Sequence, residues 1–325
     1  MADVARLAGV SIATVSHVLN GTRTVRPQTR DLVLDAVRAA DYTPNTVAQA
    51  LATARTTTIG LALPAISNPF LGELIHAIEA ESARRGYTLL LVDPHEDPEY
   101  EHTVVRRLHA RRVDGVLFAP SAEPGAALSF LTAQGIPTVL VDRLIDERMD
   151  QVGSENIEAV AGLVAHVAGA GHRRIALVAG QPGLQTTVER VAGYRLGLAR
   201  AGLSDELLVD GRSAEEPARV AVHALLAREH PPTAVITANN SMTIGAMQAL
   251  REAGVSVPGD MALACFDDFP WADLFAPRLT VVAQPFAEIG REAVRLLLRR
   301  MAEPDAPPRT VRLPPRFVHR DSCGC

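Results

Sequence analysis

The sequence predicts an N-terminal all-α headpiece followed by an α/β core of two lobes built on parallel sheets. Three observations predict it. Val4–Asn20 reads as two short helices joined by a tight turn containing Gly9, a helix-turn-helix. From Thr58 onward, continuous apolar strands alternate with amphipathic helices, the pattern of strands covered on both faces. A second series of the same kind follows from residue 159, so the core divides into two similar units with a cleft between them.

In the first helix Val4, Leu7 and Ala8 share one stripe. Gly9 breaks the run, and Val10 plugs the turn. Ser11 is a natural N-cap for the second helix, because its hydroxyl can accept a free backbone N–H. At about 100° per residue, Val15, Val18 and Leu19 share the inner face, while Ile12, Ala13, Ser16, His17 and Asn20 fall outside. Such a small and polar face suits a DNA major groove, although any αα-hairpin shares the pattern. Asn20-Gly21 marks a turn and Thr22–Arg26 a polar loop. Pro27 then opens a third helix to about Ala40, with Val33, Ala36, Val37 and Ala40 as its packing stripe. The headpiece occupies residues 1–44.

Residues 45–58 form the connection. Asn45 can cap a short segment, Thr46–Ala52, followed by a polar stretch, Thr53–Thr58. So few residues do not hold a helix alone in water, so taken by themselves they describe a flexible linker.

Charge gives only a weak pointer to nucleic acid. All basic residues are Arg; residues 1–58 hold six of them (6, 23, 26, 30, 38, 55) against four Asp (3, 31, 35, 41), a balance of +2. The remainder carries 26 Arg against 33 acids, −7, and the two sum to the overall −5. A +2 unit is a small footprint for binding phosphates, tolerable where two such units act together. No apolar run approaches the ~18 residues of a membrane span, and the sequence opens on no charged-then-apolar leader. The expectation is a cytoplasmic protein without a membrane partner. Three cysteines are too few for a disulfide framework. The terminal Cys323-Gly324-Cys325 could bind metal or cycle redox, but one pair lacks the further ligands of a closed site. A reduced, inert tail and no metal are expected. His95 and His102, in DPHEDPEYEH, read as part of a solvated loop entering a helix.

The core begins at residue 59. Strands are expected at 59–63, 88–92, 115–118 and 138–141, with helices at 70–86, 99–111 and 127–134 between them. The second series has helices at 159–170, 188–201, 218–229 and 241–253 and strands at 174–178, 234–237, 262–266 and 279–283. In such sheets ligands sit beyond the carboxyl ends of the strands. Those ends supply Asn68 and Phe70, Asp142 and Arg143, Gly180–Thr187, Arg190, Asn239 and Asn240, Asp267 and Asp268, Trp271 and Gln284. Carboxylates, amides, Arg forks and rings are what a polyhydroxylated ligand needs. Trp271 could equally be packing, and Arg143 could simply pair with a nearby acid. Asp267-Asp268 invites a glycosidase reading, but adjacent strand residues point opposite ways and do not flank one bond.

The stretches DVARLAGVSIATVSHVLNG, VRPQTRDLVLDAVRAADYTPN, ALATARTTTIG and the closing RDSCGC resemble the LacI/GalR family of transcription regulators over essentially the whole chain. The resemblance implies a periplasmic-binding-protein-like core, with lobe 1 near 59–156 and 283–310 and lobe 2 near 157–282 and 311–325. It implies that residues 45–52 form a hinge helix ordered on operator DNA, in which Leu51 wedges into the minor groove. The DNA-binding set it implies is Ser11, Ile12, Ala13, Thr14, Ser16, His17, Asn20, Arg26, Asn45, Ala48 and Leu51. The effector set is Asn68, Phe70, Asp142, Arg143, Arg190, Asn239, Asp267, Trp271 and Gln284, with Phe70, Asp142, Arg143, Arg190, Asn239, Asp267 and Gln284 carried over from family positions. No catalytic residue, metal or cofactor is implied.

This sequence departs from the family in places. His17 stands where Arg is common, Asn240 where Asp is usual, and Arg26 where Ser caps the third helix. Relatives usually carry a few residues ahead of Met1, including a hydroxyl that caps helix one, so either that cap is missing or the start lies upstream. The expected function is a homodimeric, effector-responsive repressor of a carbohydrate-use operon, reading a palindromic operator and binding a sugar or related metabolite. The alternatives are a sugar-binding protein without a DNA role and a glycoside-processing enzyme.

Overall fold

The computed structural model describes residues 1–20, 23–42, 55–64 and 71–325, with Asn20 by its backbone alone. The headpiece contains α1 (Ala2–Ala8), α2 (Ile12–Asn20) and α3 (Pro27–Ala39). Gly9 ends α1 in the left-handed region, φ 65°, and Val10 N–H donates back to Ala5 O at 3.0 Å. Ser11 Oγ accepts Thr14 N–H at 3.1 Å, so the expected cap starts α2. Val4, Ala5, Val15, Val33 and Ala36 are the buried core, with Ala8, Val10, Val18, Leu19 and Val37 packed against it. Leu7 is a correction. It is 53% exposed, because the inner face of so short a helix is taken by Val4 and Ala5 together. Arg26 precedes α3 without a side-chain cap, as expected where the usual hydroxyl is replaced.

The first lobe runs β1 (Thr58–Ala62), α4 (Gly72–Arg84), β2 (Thr88–Val92), α5 (Pro98–Ala110), β3 (Gly115–Phe118), α6 (Gly125–Ala133), β4 (Thr138–Val141) and β5 (Asp150–Ser154). The second runs α7 (Ile157–Gly169), β6 (Ile175–Ala179), α8 (Gln185–Arg200), β7 (Leu207–Asp210), α9 (Glu215–Leu226), β8 (Ala234–Thr237), α10 (Asn240–Glu252), β9 (Ala262–Phe266) and β10 (Thr280–Ala283). The chain then returns through α11 (Phe286–Ala302), β11 (Thr310–Leu313) and β12 (Arg316–Val318). The sheets have orders β11-β5-β4-β3-β1-β2 and β12-β10-β9-β8-β6-β7, parallel except for β12 against β10. The five parallel strands β5-β4-β3-β1-β2 of one lobe therefore repeat β10-β9-β8-β6-β7 of the other, with β4 equivalent to β9 and β5 to β10. Strands β3, β4, β6, β8 and β9 are wholly buried, which is why they read as unbroken apolar runs.

Three crossings join the lobes. Thr310–Leu313 pairs with β5 in the first sheet, so the last crossing falls at Pro314-Pro315, a few residues beyond the expected 310–311. At the first crossing Glu189 binds Asn156 Nδ2 at 2.8 Å and Arg312 at 2.8 Å, linking α8 of one lobe to a strand of the other. Burial pushes the Glu189 carboxyl up, but hydrogen bonds from Arg312, Asn156 and Gln185 together hold it below its ordinary range. Strand β5 is buried although only Val152 is apolar; Asp150 accepts Arg300 Nε at 2.7 Å and Arg309 N–H at 2.8 Å. Asp97 caps α5 through the N–H groups of Glu99 and Tyr100, and His95 stacks on Tyr100, so DPHEDP is a loop leading into a helix. Among the described residues no single helix is long and apolar enough to cross a membrane.

Gly153 on β5 leaves room for the backbone of Asp142; a Cβ there would meet Asp142 O at 2.8 Å. Gly153→Ala is expected to destabilise the core by about 1–3 kcal/mol, the usual cost of overpacking. A thermal melt reads this as a midpoint lowered by several degrees.

Candidate effector cleft and DNA-reading face

Asp142 and Asp267 hold equivalent places in the two lobes. Each follows its strand, β4 or β9, in a left-handed conformation with φ 71° or 77°. Each also donates its N–H to the neighbouring strand, to Val152 O or Val282 O, at 2.9 Å. Asp tolerates this region better than most residues, and the turn carries both side chains to the lining of the interlobe cleft. Arg143, Arg190, Asn239 and Gln284 line the same cavity, of about 120 Å³. That volume suits a small metabolite rather than the ~300–1,000 Å³ occupied by drug-sized ligands.

The charges are incompletely matched. Arg143 donates from Nη1 to Glu96 Oε2 at 2.8 Å and to Pro120 O at 2.6 Å, and from Nη2 to Glu96 Oε1. Its partner is thus Glu96 first, with Asp142 3.7 Å from Nε. Arg190 donates from Nε to Asn156 Oδ1 at 2.9 Å and from Nη1 to Ala238 O at 2.7 Å, and its guanidinium lies 3.9 Å over the Phe266 ring. Gln284 donates to Asp267 Oδ1 at 2.6 Å. Among the described residues, buried Arg143 Nε and Gln284 Oε1 have no hydrogen-bond partner, and the Asp142 carboxylate accepts no hydrogen bond. Arg143, Gln284 and Asp142 all line this small cavity, and each carries a polar group without a hydrogen-bond partner.

Burial pushes the Asp142 carboxyl above its ordinary range; Arg143 and Arg190 pull it down, while Asp267 and Glu96 push it further up.

Not every expected residue arrives. Trp271 is 45% exposed, stands edge-on to Phe269 and does not line the cavity; it sits on the surface turn after β9. Asn239 reaches the cleft but also caps α10, accepting Met242 N–H at 2.8 Å and donating to Ser213 O at 3.2 Å. Asn68 and Phe70 lie outside the described residues. Asp268 diverges from Asp267 and pairs with Arg320 through two 3.0 Å bonds, so the adjacent acids do not share a site. Because those groups are already paired, the larger open groove of about 770 Å³ along the lobe crossing, past Asp268 and Arg320, converges on little unsatisfied chemistry. Sequence reasoning missed Glu96, Asn156 and Phe286. Glu96 follows β2, so the same strand-end rule applied to that loop would have found it.

On the headpiece, Ile12 is 53% exposed and Ala13 is exposed beside it, while His17 and Ser16 are half-buried. Ser11 and Thr14 are tied to one another, their hydroxyl oxygens 2.9 Å apart, so both serve the cap. Among the described residues Arg23, Arg26 and Arg30 form no ion pair, whereas Arg6 and Arg38 bind Asp3 and Asp35. Asn45, Ala48 and Leu51 lie outside the described residues, as does the side chain of Asn20. The end of the connection is anchored. Asp114 accepts Thr56 N–H at 2.8 Å and Thr57 N–H at 2.9 Å, and Thr56 Oγ1 donates to Arg112 O at 2.7 Å.

A raised carboxyl pKa costs stability at every pH above it. The cost is returned as pH falls toward the unfolded value of ~3.9. Asp142→Asn is therefore expected to raise the melting temperature at pH 7, with the gap to the parent closing as the buffer approaches pH 4. A lower melting temperature at pH 7 would show that the two arginines outweigh burial.

Residues 1–45 match the family described as bacterial regulatory proteins, lacI family, and residues 164–323 match a periplasmic binding protein-like domain. The HTH-type transcriptional repressor PurR of Mannheimia succiniciproducens is 34% identical over 324 residues, covering 98% of this chain and 97% of the relative. Among solved structures, the lac repressor dimer bound to operator and the anti-inducer ONPF has a TM-score of 0.88 at 27% identity, covering 99% of this chain and 98% of that one. The complex of the transcriptional regulator CelR with cellobiose has a TM-score of 0.75 at 30% identity, covering 98% of both. With its helix-turn-helix, two-lobed core and full-length relatives, the chain belongs to the lacI family of bacterial regulatory proteins, as a DNA-binding transcriptional repressor and not an enzyme.

Proposed function

We propose that a sugar or related polyhydroxylated metabolite binds between the lobes and sets operator affinity, and that the regulated genes serve carbohydrate use. The observation that carries this is that Asp142, Arg143 and Gln284, each with a polar group lacking a hydrogen-bond partner, line one small cavity. Neighbouring hydroxyls both donate and accept, so one polyol can answer all three groups. Asp267 and Arg190 are assigned to the same ligand from the other lobe, with Asn68, Phe70 and Asn239 completing its shell. The sugar-bound CelR structure supports this choice of ligand class.

The repressor acts as a homodimer on a palindromic operator. Each α2 enters a major groove, with Ile12, Ala13 and His17 toward base edges, and Arg26 near phosphate. Paired segments around Leu51 meet the minor groove between the half-sites. Support for self-association comes from the operator-bound lac repressor dimer. Asp114 transmits lobe position to the linker, since it holds Thr56 and Thr57 to the first lobe. Effector and operator are then coupled reciprocally, each changing the other's affinity by one factor.

A thermal-shift screen with sugars and with flat heterocyclic bases tests the ligand class. A sugar is expected to raise the melting temperature, because a ligand of the native state stabilises by mass action; stabilisation by bases alone would overturn the assignment. With that sugar, Asp267→Ala is expected to keep operator binding and lose the effector response, read by anisotropy of labelled operator. Asp114→Ala is expected to lower operator affinity about tenfold, the order of one or two net hydrogen bonds to a charged group, while sugar affinity stays unchanged.

A further inference from the structure

The C-terminal cysteines do not stand alone. His166, on the last turn of α7, and His319, just after β12, converge on Cys323 and Cys325, and one ligand atom from each lies within 4.8 Å of all the others. Cys325 Sγ is 3.0 Å from His166 Nε2, 3.6 Å from His319 Nε2 and 2.6 Å from Cys323 Sγ. The expectation of an inert tail assumed that no further ligands were near; the fold brings in two imidazoles from outside it.

The surrounding structure holds this arrangement in place. Ser322 is fully buried, accepts Thr280 N–H at 2.8 Å and donates to Leu263 O at 2.6 Å, while Asp321 binds Arg278 at 2.8 and 2.9 Å. These bonds fix the tail to the starts of β9 and β10 just before Cys323. Gly324 then adopts φ 74°, and a Cβ there would lie 3.1 Å from Pro258, so the reversal between the two cysteines calls for glycine. The His166 ring packs on Phe317 at 4.8 Å, which orients it. Cys323 is buried and Cys325 and His319 are exposed, so the cluster is anchored below and open to solvent above.

We propose that His166, His319, Cys323 and Cys325 form a tetrahedral site for a divalent cation of the zinc type, fastening the C-terminal tail to α7. Two thiolates and two neutral imidazoles are a donor set that zinc takes in closed structural sites, whereas magnesium and calcium require oxygen. Bonds of about 2.3 Å to sulfur and 2.0–2.1 Å to nitrogen place tetrahedral ligand atoms roughly 3.3–3.8 Å apart. The cluster brackets that spacing; binding would part the two sulfurs and draw the histidines together. Two thiol protons leave as the ion enters, so the metal–thiolate centre is neutral overall. The site is remote from the sugar assignment and independent of it.

The test uses the reduced full-length protein, stripped with chelator and reloaded with zinc or cobalt. One equivalent per chain is expected, with the intense visible absorption of a tetrahedral cobalt–thiolate centre and a melting temperature several degrees higher with zinc. Cys325→Ser and His319→Ala, both at exposed positions that tolerate replacement, are expected to lose at least tenfold in metal affinity and to abolish the zinc shift. Their melting temperatures without metal should match the parent. Three outcomes would overturn the site: no stoichiometric loading, an octahedral cobalt spectrum, or loading unchanged in both variants. Recovery of Cys323 and Cys325 as a disulfide from reducing buffer would also overturn it, and would assign the pair to redox chemistry instead.

Discussion

Two like charges turned toward one another across a cleft govern what this core can do. Asp142 and Asp267 sit on matching left-handed turns because the second lobe repeats the first, and both line one cavity between the lobes. Each lobe also contributes an arginine, but Arg143 is drawn off by Glu96 and Arg190 by Asn156 and the Ala238 carbonyl. Coulomb attraction therefore offsets the burial of Asp142 only in part, which is why its carboxyl remains above the ordinary range. On the proposed reading, a ligand that donates hydrogen bonds to this carboxylate would relieve the deficit.

The contacts that carry lobe position elsewhere lie at two places. Glu189 joins Arg312 and Asn156 at the crossing, a part-buried contact that ties one lobe to the other. Asp114 grips the end of the connection on the first lobe, at the opposite end of the sheet from the cleft. The rigid element between cleft and linker is the first sheet itself, whose β1, β3 and β4 are packed on both faces. On the proposed coupling, such a sheet would carry a change at Asp142 to Thr56 by moving as a body rather than deforming.

The second lobe carries its own anchoring. Helix α7 starts beside Asn156, which touches Arg190, and ends near His166 about 14 Å further on at 1.5 Å per residue. A cation at the tail would stiffen the far end of the helix whose near end lies beside Arg190 of the cleft. It would act on the stability of that lobe without contributing any atom to the cleft.

Local pattern alone determined the headpiece helices, the Ser11 cap, most of the central strands and the strand-end positions of Asp142, Arg143, Arg190, Asn239, Asp267 and Gln284. Helical and strand periodicities are properties of neighbouring residues, and a parallel sheet always opens its ligand site at the same strand ends. Tertiary structure decided the rest. Strand β5 carries Asp150 and Gln151, which escape any apolar pattern; they are buried because Arg300, Arg309 and Thr310, distant in the chain, complete their hydrogen bonds. Glu96 became a cleft residue only when Arg143 reached it across 47 positions, and Trp271 left the site because its turn faces solvent. Leu7 turned outward because the inner face of a helix two turns long holds few side chains. His166 and Cys325 are 159 residues apart, and nothing in the spacing of either announces the other. Pairing over such separations depends on which surfaces pack, and that is a property of the folded chain rather than of any stretch within it.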